Sequence, residues 1–257
     1  MIGAHRRLVG DAYDRAAPTL RRSAGPLVYR ALARPLIDAV VDAVGPQPGP
    51  VLDVAAGAGA FGHAFEETVA VDISTGQLRA NPAGRRLRAE AERLPFPADA
   101  FAAAGCSFGI NHFAHPAEAV REMARVAPVV ALSTWSRPQA TYGPKRIVEV
   151  ALERHAGTCR SPIGHMLDEL SERVGSVAAV TELLVEANLE PQVGQVEVEV
   201  PWAGADAFLE YRLARPTTPA TVNRAALRDE VAGAIAALRP DELVWRPRLV
   251  IGVGRRG

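Results

Sequence analysis

Cysteine is scarce in this chain. Cys106 and Cys159 are the two in 257 residues, and they stand far apart. They make neither a disulfide framework nor a metal-ligand set. No group of histidines, cysteines and acids has metal-ligand spacing, so no metal site is expected. An excess of one charge is missing too: Lys plus Arg and Asp plus Glu are both 29. That balance leaves no basic surface for a nucleic acid. No run approaches the ~20 apolar residues of a membrane span. The opening stretch MIGAHRRLVGDAYDR lacks the apolar core of a signal peptide. A cytoplasmic protein with neither nucleic-acid nor membrane partners is therefore expected. Internal repeats and low-complexity tracts are also lacking. What remains is an ordinary globular mixture, 48% hydrophobic and 23% charged, long enough for one sizeable core with appended elements.

The chain is organised around residues 51–74. Val51, Leu52, Val54 and Ala55 form an apolar run suited to a strand buried on both faces. Gly57 and Gly59 follow, where the backbone can turn sharply and approach a ligand without Cβ atoms in the way. Gly62 falls in the first turn of a predicted helix. A second apolar run, 69–71, ends in Asp72, whose carboxylate can accept two hydrogen bonds from the vicinal hydroxyls of a ribose. A tight strand–helix connection alone would explain the glycines, but the acid adds a nucleoside. Gly57, Gly59 and Gly62 match the dinucleotide pattern literally. Asp72, however, comes sooner than the ~20-residue interval of that unit. Asp53, just ahead of the turn, would repel a pyrophosphate and suits a cationic amine or sulfonium.

Two phrases give the chain a family resemblance. Asp53-Val54-Ala55-Ala56-Gly57-Ala58-Gly59 resembles the acid-x-G-x-G-x-G turn of the class I S-adenosylmethionine-dependent methyltransferases, with alanine in place of the first glycine. Glu90-Ala91-Glu92-Arg93-Leu94-Pro95-Phe96 resembles the acid-Ala-x-x-Leu-Pro-Phe phrase of the same family, with glutamate where aspartate is usual. The resemblance implies S-adenosylmethionine as cofactor and a set of residues around it. Asp72, with Ile73 beside it, would hold the ribose, and Glu90 and Ala91 would flank the adenine. Asp53, Ala55, Gly57 and Gly59 would serve the amino-acid end, with Ser107 and Phe108 lining it. Tyr13 matches a tyrosine near the cofactor's methionine end, or it packs its helix onto the core. The family's Pro-Gly-Gly turn before strand five is replaced by Ala127-Pro128.

The expected architecture is α/β, a Rossmann-like doubly wound, mostly parallel seven-stranded sheet with an N-terminal helical lid and a helical insertion after strand five. One domain spans 1–257: a lid (1–45), a cofactor-binding core (51–136), a substrate-pocket insertion (137–176) and a C-terminal part of the core (177–257). Helices over 5–44 bury Leu27, Ala31, Leu32, Ile37, Val40, Val41 and Val44, with Pro26 and Pro35 at helix starts. The stretch 45–50 and the phrases at 142–144 and 161–164 are breaks. Ser74 caps a short helix. Strands are predicted at 86–88, at 101–108 (oddly alanine-rich), at 129–135, at 193–200 and at 244–253. Helices are predicted at 116–127, 147–152, 166–174, 177–188, 205–213 and 223–238.

Methyl transfer from a sulfonium is an in-line displacement, so positioning and exclusion of water matter most. A neutral acceptor must also lose a proton. His112, at the mouth of the site, is the candidate base, with helix capping or loop packing as its structural alternative. His115, and further off His155 and His165, are weaker candidates. Tyr13, Tyr29, Trp135, Tyr142, Met166, Trp202 and Tyr211 suit a flat apolar acceptor unless they are ordinary core. No Asn-Pro-Pro-aromatic phrase of nucleic-acid amino-methylating enzymes is present. A small acceptor of natural-product metabolism, or a quinone-like one, fits best. The alternative keeps the fold for a non-methylating cyclisation or rearrangement, or uses the cofactor structurally. A nicotinamide-dependent oxidoreductase is disfavoured by Asp72 and Glu90-Ala91.

Overall fold

A computed structural model describes residues 2–45, 49–156, 162–200, 202–219 and 221–257. Cys159, Ser161 and the middle of the 45–50 break lie outside the described residues. Helices α1 (Ile2–Arg22) and α2 (Gly25–Val44) come first, followed by β1 (Val51–Val54) and β2 (Thr68–Asp72). Next are α3 (Thr75–Ala80), β3 (Arg85–Arg88), β4 (Ala103–Ser107), α4 (Pro116–Val126) and β5 (Val129–Trp135). Helices α5 (Gly143–Ala156), α6 (Pro162–Val174) and α7 (Val177–Glu186) lead to β6 (Glu190–Glu197). The chain closes through α8 (Ala205–Ala214), α9 (Arg224–Ala236), α10 (Pro240–Leu243) and β7 (Arg248–Arg255).

The strands form one seven-stranded sheet in the order β3-β2-β1-β4-β5-β7-β6. β1 to β5 are parallel, and β7 runs antiparallel to both neighbours. Strand order reverses between β1 and β4, the place where open parallel sheets bind ligands beyond their carboxyl ends. On one face α4 and α7 bury Val120, Met123, Val180 and Leu184 against Leu52, Val54, Cys106 and Leu132. On the other, α2 lays Leu36, Ile37 and Val40 over Val51, Ala103, Ala131 and Val253. Among the described residues no helix is long and apolar enough to cross a membrane.

Several elements depart from the sequence reading for identifiable reasons. Only a 3-10 turn, Gly62–Ala64, stands where a helix was expected after the glycines. Thr68 already begins β2, which leaves too few residues for α-helical propagation. Pro35 lies inside α2, not at a helix start, because the buried face of Leu32, Leu36 and Val40 continues through it. Leu27, expected in that face, is 73% exposed, and its neighbour Val28 is buried instead. The final hairpin ladder is shifted from its predicted bounds, but pairing continues past the strands to a bridge between Val200 and Trp245. Helices α5 and α6 begin earlier than predicted, α7 and α9 end sooner, and α5 packs with α8 and α9 around Val148, Phe208 and Leu227.

The alanine-rich β4 is explained by its neighbour. Its residues Ala103, Ala104 and Cys106 are fully buried, and a Cβ on Gly105 would overlap the Phe61 ring. Tight sheet–aromatic packing here takes precedence over β propensity. Gly105→Ala should therefore cost about 1–3 kcal/mol through overpacking. A urea titration checks this, and an unchanged midpoint would show that Phe61 moves aside freely.

Candidate functional site

A cavity of about 980 Å³ opens beyond the carboxyl ends of β1, β2, β4 and β5, walled by α1, α2, α5 and α6. That is at the upper end of the range for ligand pockets, enough for a cofactor and a second molecule. Its floor is the β1–β4 switch point. There two non-glycine residues, Ala55 (φ 53°) and Phe108 (φ 57°), adopt the left-handed conformation at the tips of adjacent strands. Such strain costs about 1–3 kcal/mol and persists where its surroundings fix it. Gly109 is part of that fixing: a Cβ there would come within 2.5 Å of the Ala55 methyl.

Asp72 organises the end of the cavity at the β2 tip. Its carboxylate accepts the Gly57 N–H at 2.8 Å and the Ser74 N–H at 2.7 Å, while still facing the cavity. A carboxylate offers about four lone-pair sites, so acceptor capacity remains for a ligand. Burial raises its pKa, the two N–H groups oppose that rise, and Asp14 adds to it. Asp14, on α1, accepts the Ser74 hydroxyl at 2.6 Å and the Gly76 N–H at 2.7 Å, pinning the first helix to the start of α3. Glu90 and Ala91 lie on the wall, and Glu90 pairs with Arg6 of α1 at 2.5 Å. Gly57, Ile73 and Ser107 also line the cavity.

Two expected cofactor residues stand behind the wall instead. The Asp53 carboxylate is 1% exposed and accepts the Gly62 N–H at 3.0 Å. It holds the turn from within the core, and burial pushes it up to about 7. Gly59 (φ 86°) packs against Pro82, whose Cδ a Cβ would meet at 2.7 Å, so its place is in the turn rather than on the cavity surface.

Tyr13 and His112 meet on the cavity wall. The Tyr13 hydroxyl is 2.7 Å from His112 Nε2, and both residues line the wall. Burial pulls His112 down to about 4, with the Arg215 and His5 charges adding to the fall, while the carbonyls of Phe108 and Gly109 favour a ring proton. In the tautomer whose proton faces those carbonyls, Nε2 accepts the Tyr13 hydroxyl. His5 Nε2 donates to the His112 carbonyl at 2.9 Å, which fixes the loop. Burial raises Tyr13, with Arg215 working against it. A neutral imidazole beside the cavity can take a proton. His115 precedes α4 without a side-chain cap bond, and His155 pairs with Glu230 at 2.6 Å, away from the cavity. His165 lies on α6, also off the wall. Among the described residues no group of three or more His, Cys, Asp or Glu could hold a metal ion.

Another side of the cavity is an aromatic slab. Phe108 and Trp135 have ring centroids 4.5 Å apart, Trp135 and Trp245 5.5 Å, and Trp245 and Tyr142 6.2 Å. Tyr29 also lines the cavity. Trp202 stands behind the slab, donating to the Tyr142 hydroxyl at 2.9 Å. Tyr211 is likewise behind Tyr29, and Met166 packs with Ile163 and Leu167 instead. Sequence reasoning missed Asp14, Trp245, Arg212 and Arg215. The spacing of the last two, one turn apart beside the apolar Leu213 and Ala214, was the available signal.

Comparison with known proteins follows the same division. Residues 52–128 match the model of a methyltransferase domain. The chain is 39% identical over 124 residues to demethylmenaquinone methyltransferase of Renibacterium salmoninarum, covering 42% of this chain and 50% of that one. It is 41% identical over 91 residues to the enzyme of the same name from Mycolicibacterium paratuberculosis, covering 33% and 40%. The chain thus spans half or less of the length of these curated relatives. Among solved structures, the 4+2 cyclase SpnF superposes with a TM-score of 0.58 at 18% identity, over 96% of both chains. A SAM-dependent methyltransferase from Thermotoga maritima gives 0.54 at 15% identity, over 96% and 99%. These structures share the fold. The resemblance to the class I S-adenosylmethionine-dependent methyltransferases stands in motif, in domain match and in architecture.

Proposed function

We propose that this chain, built on the cofactor half of a class I methyltransferase, transfers a methyl group from S-adenosylmethionine to a small aromatic or apolar molecule of natural-product or quinone-type metabolism. One observation carries the reading: a single cavity runs from Asp72 and the Gly57 turn to the Tyr13–His112 pair and the aromatic slab. The left-handed backbone at Ala55 and Phe108, and the spare acceptor capacity of Asp72, fit such a cofactor. When bound, it supplies a methyl group on a positively charged sulfur. Asp72 takes the ribose hydroxyls, with Ile73 beside it. Glu90 and Ala91 wall the adenine. Ala55, Gly57, Ser107 and Phe108 hold the amino-acid end, while Asp53 and Gly59 set the turn that presents it. Tyr13 orients His112, and His112 takes the proton that the acceptor releases. The first helix and the segment after β5 keep water out.

The curated relatives are demethylmenaquinone methyltransferases, which supports a flat acceptor. The fold is also that of a cyclase, so rearrangement in the same cavity is the second reading. A buried neutral base on the cavity wall favours methyl transfer. Calorimetric titration with S-adenosylmethionine, S-adenosylhomocysteine and NAD in parallel tests the proposal. The first two should bind and NAD should not. Tight NAD binding with silence from the others would overturn it. Cofactor binding without methyl turnover on any aromatic acceptor would transfer support to rearrangement.

A further inference from the structure

Two buried charges of the cavity belong to α8 and its C-cap. Arg212, in its last turn, has a side chain only 12% exposed. Among the described residues its ion pair is a loose one, with Glu149 at 3.7 Å, and Glu149 also faces Lys145 at 3.4 Å. Arg215 follows at the helix C-cap, and its side chain has no hydrogen bond or ion pair with a described residue; Asp168, on α6, is the acid whose field reaches it. The Nε atoms of both arginines are buried without a partner. A helix C-terminus favours cations, but that is worth little beside the desolvation of two neighbouring guanidiniums. Burial, then the charge of Arg215, pulls Arg212 down to about 10, so it stays charged at neutral pH. Lys145 is lowered by burial and by both arginines. Lys145, Arg212 and Arg215 therefore gather near two acids, Glu149 and Asp168, on a side of the cavity that Tyr142, Trp245 and Tyr29 also wall. The fields of Arg215 on Tyr13 and His112 place this charge within reach of the proposed base.

We infer that the acceptor is an aromatic carboxylate, its ring against the Trp135–Trp245–Tyr142 slab and its carboxylate held by Arg212 and Arg215. The inference rests on the methyl-transfer reading for what happens next, but not for the binding itself. A planar guanidinium fork matches a carboxylate in geometry and charge. An anion also removes the repulsion that the ligand-free cavity carries. Two sources of carboxylate are available, the acceptor and the methionine end of the cofactor, and the test separates them.

Wild type, Arg212→Gln and Arg215→Gln are titrated with S-adenosylhomocysteine alone. With that cofactor present and absent, they are then titrated with a hydroxybenzoate and a hydroxynaphthoate and with the methyl ester of each. Wild type should bind the acids at least about tenfold more tightly than the esters, and each glutamine variant should lose that preference. S-adenosylhomocysteine affinity should be the same in all three proteins. Arg215→Lys, which keeps the charge without the fork, should retain part of the preference. Equal binding of acids and esters, or a preference untouched by both substitutions, would overturn the inference. So would weakened S-adenosylhomocysteine binding with the acid preference intact, which would give the arginines to the cofactor. If wild type ignored S-adenosylhomocysteine but bound the acids through the arginines, the methyltransferase reading would fall and this one would stand.

Discussion

His112→Gln should lower kcat by about two to four orders of magnitude, the range for loss of a positioned base, and leave cofactor affinity within about threefold. The residue meets the Tyr13 hydroxyl at 2.7 Å and lines the cavity, whereas the cofactor end is built from other strands. Tyr13→Phe keeps the ring and loses one hydrogen bond, so a smaller fall of about tenfold is expected. Burial holds His112 down to about 4. Its neutral, proton-accepting form is then present throughout pH 6–8, and the acid limb of kcat/KM should fall near 4, not near the ordinary 6.5. Stability follows the same linkage. As pH drops below 6.5 the unfolded chain takes up a proton that the folded one refuses until about 4. This contribution is complete above 6.5 and is lost between 6.5 and 4, so His112→Gln should blunt acid unfolding. Asp53, pushed up to about 7, acts in the opposite direction, favouring the folded state at low pH and losing that advantage as pH rises from 3.8 to 7. Single-turnover rates and pH-dependent melts of the variants check these points. A His112→Gln enzyme with wild-type kcat would return the histidine to a packing role.

Asp72→Ala should weaken S-adenosylmethionine binding by about a hundredfold or more. Charge-assisted hydrogen bonds to a ligand contribute roughly 1.5–3 kcal/mol each, and this carboxylate also holds the Gly57 and Ser74 N–H groups. The substitution therefore loosens the turn as well as the ribose contact. Asp72→Asn separates the two effects. Its single carbonyl oxygen can keep one backbone donor, so the turn should survive while affinity still falls. Calorimetry with S-adenosylhomocysteine reads both variants, and unchanged affinity in Asp72→Ala would place the nucleoside elsewhere.

Much of the cofactor half was legible because its signals are local. Val129–Trp135 reads as a strand from its apolar run, and Ser74 reads as a cap from its place before Thr75; the structure has both. Asp72 at the end of an apolar run and Ala91 in its phrase both face the cavity. Asp53 misled because sequence gives proximity along the chain, not the face of a strand: it points inward, to Gly62. Period-two alternation decides that face only when one side is solvent, and β1 is buried on both. The acceptor half was less legible. Tyr13 and His112, or Trp245 and Tyr142, are brought together by the sheet and the helices around it, and no spacing rule links residues so distant in sequence.

By itself the sequence determined the doubly wound α/β class, the glycine turn after the first strand and the acid at the second strand tip. Each follows from local propensity, hydrophobic period or composition. Tertiary structure alone decided that the turn after β1 is a 3-10 turn and that β4 must be small because Phe61 lies across Gly105. It also decided that His112 meets Tyr13, and that Arg212 and Arg215 end buried and short of partners. Burial and long-range proximity set the protonation of a base and the value of a charge, and both exist only once the chain has packed.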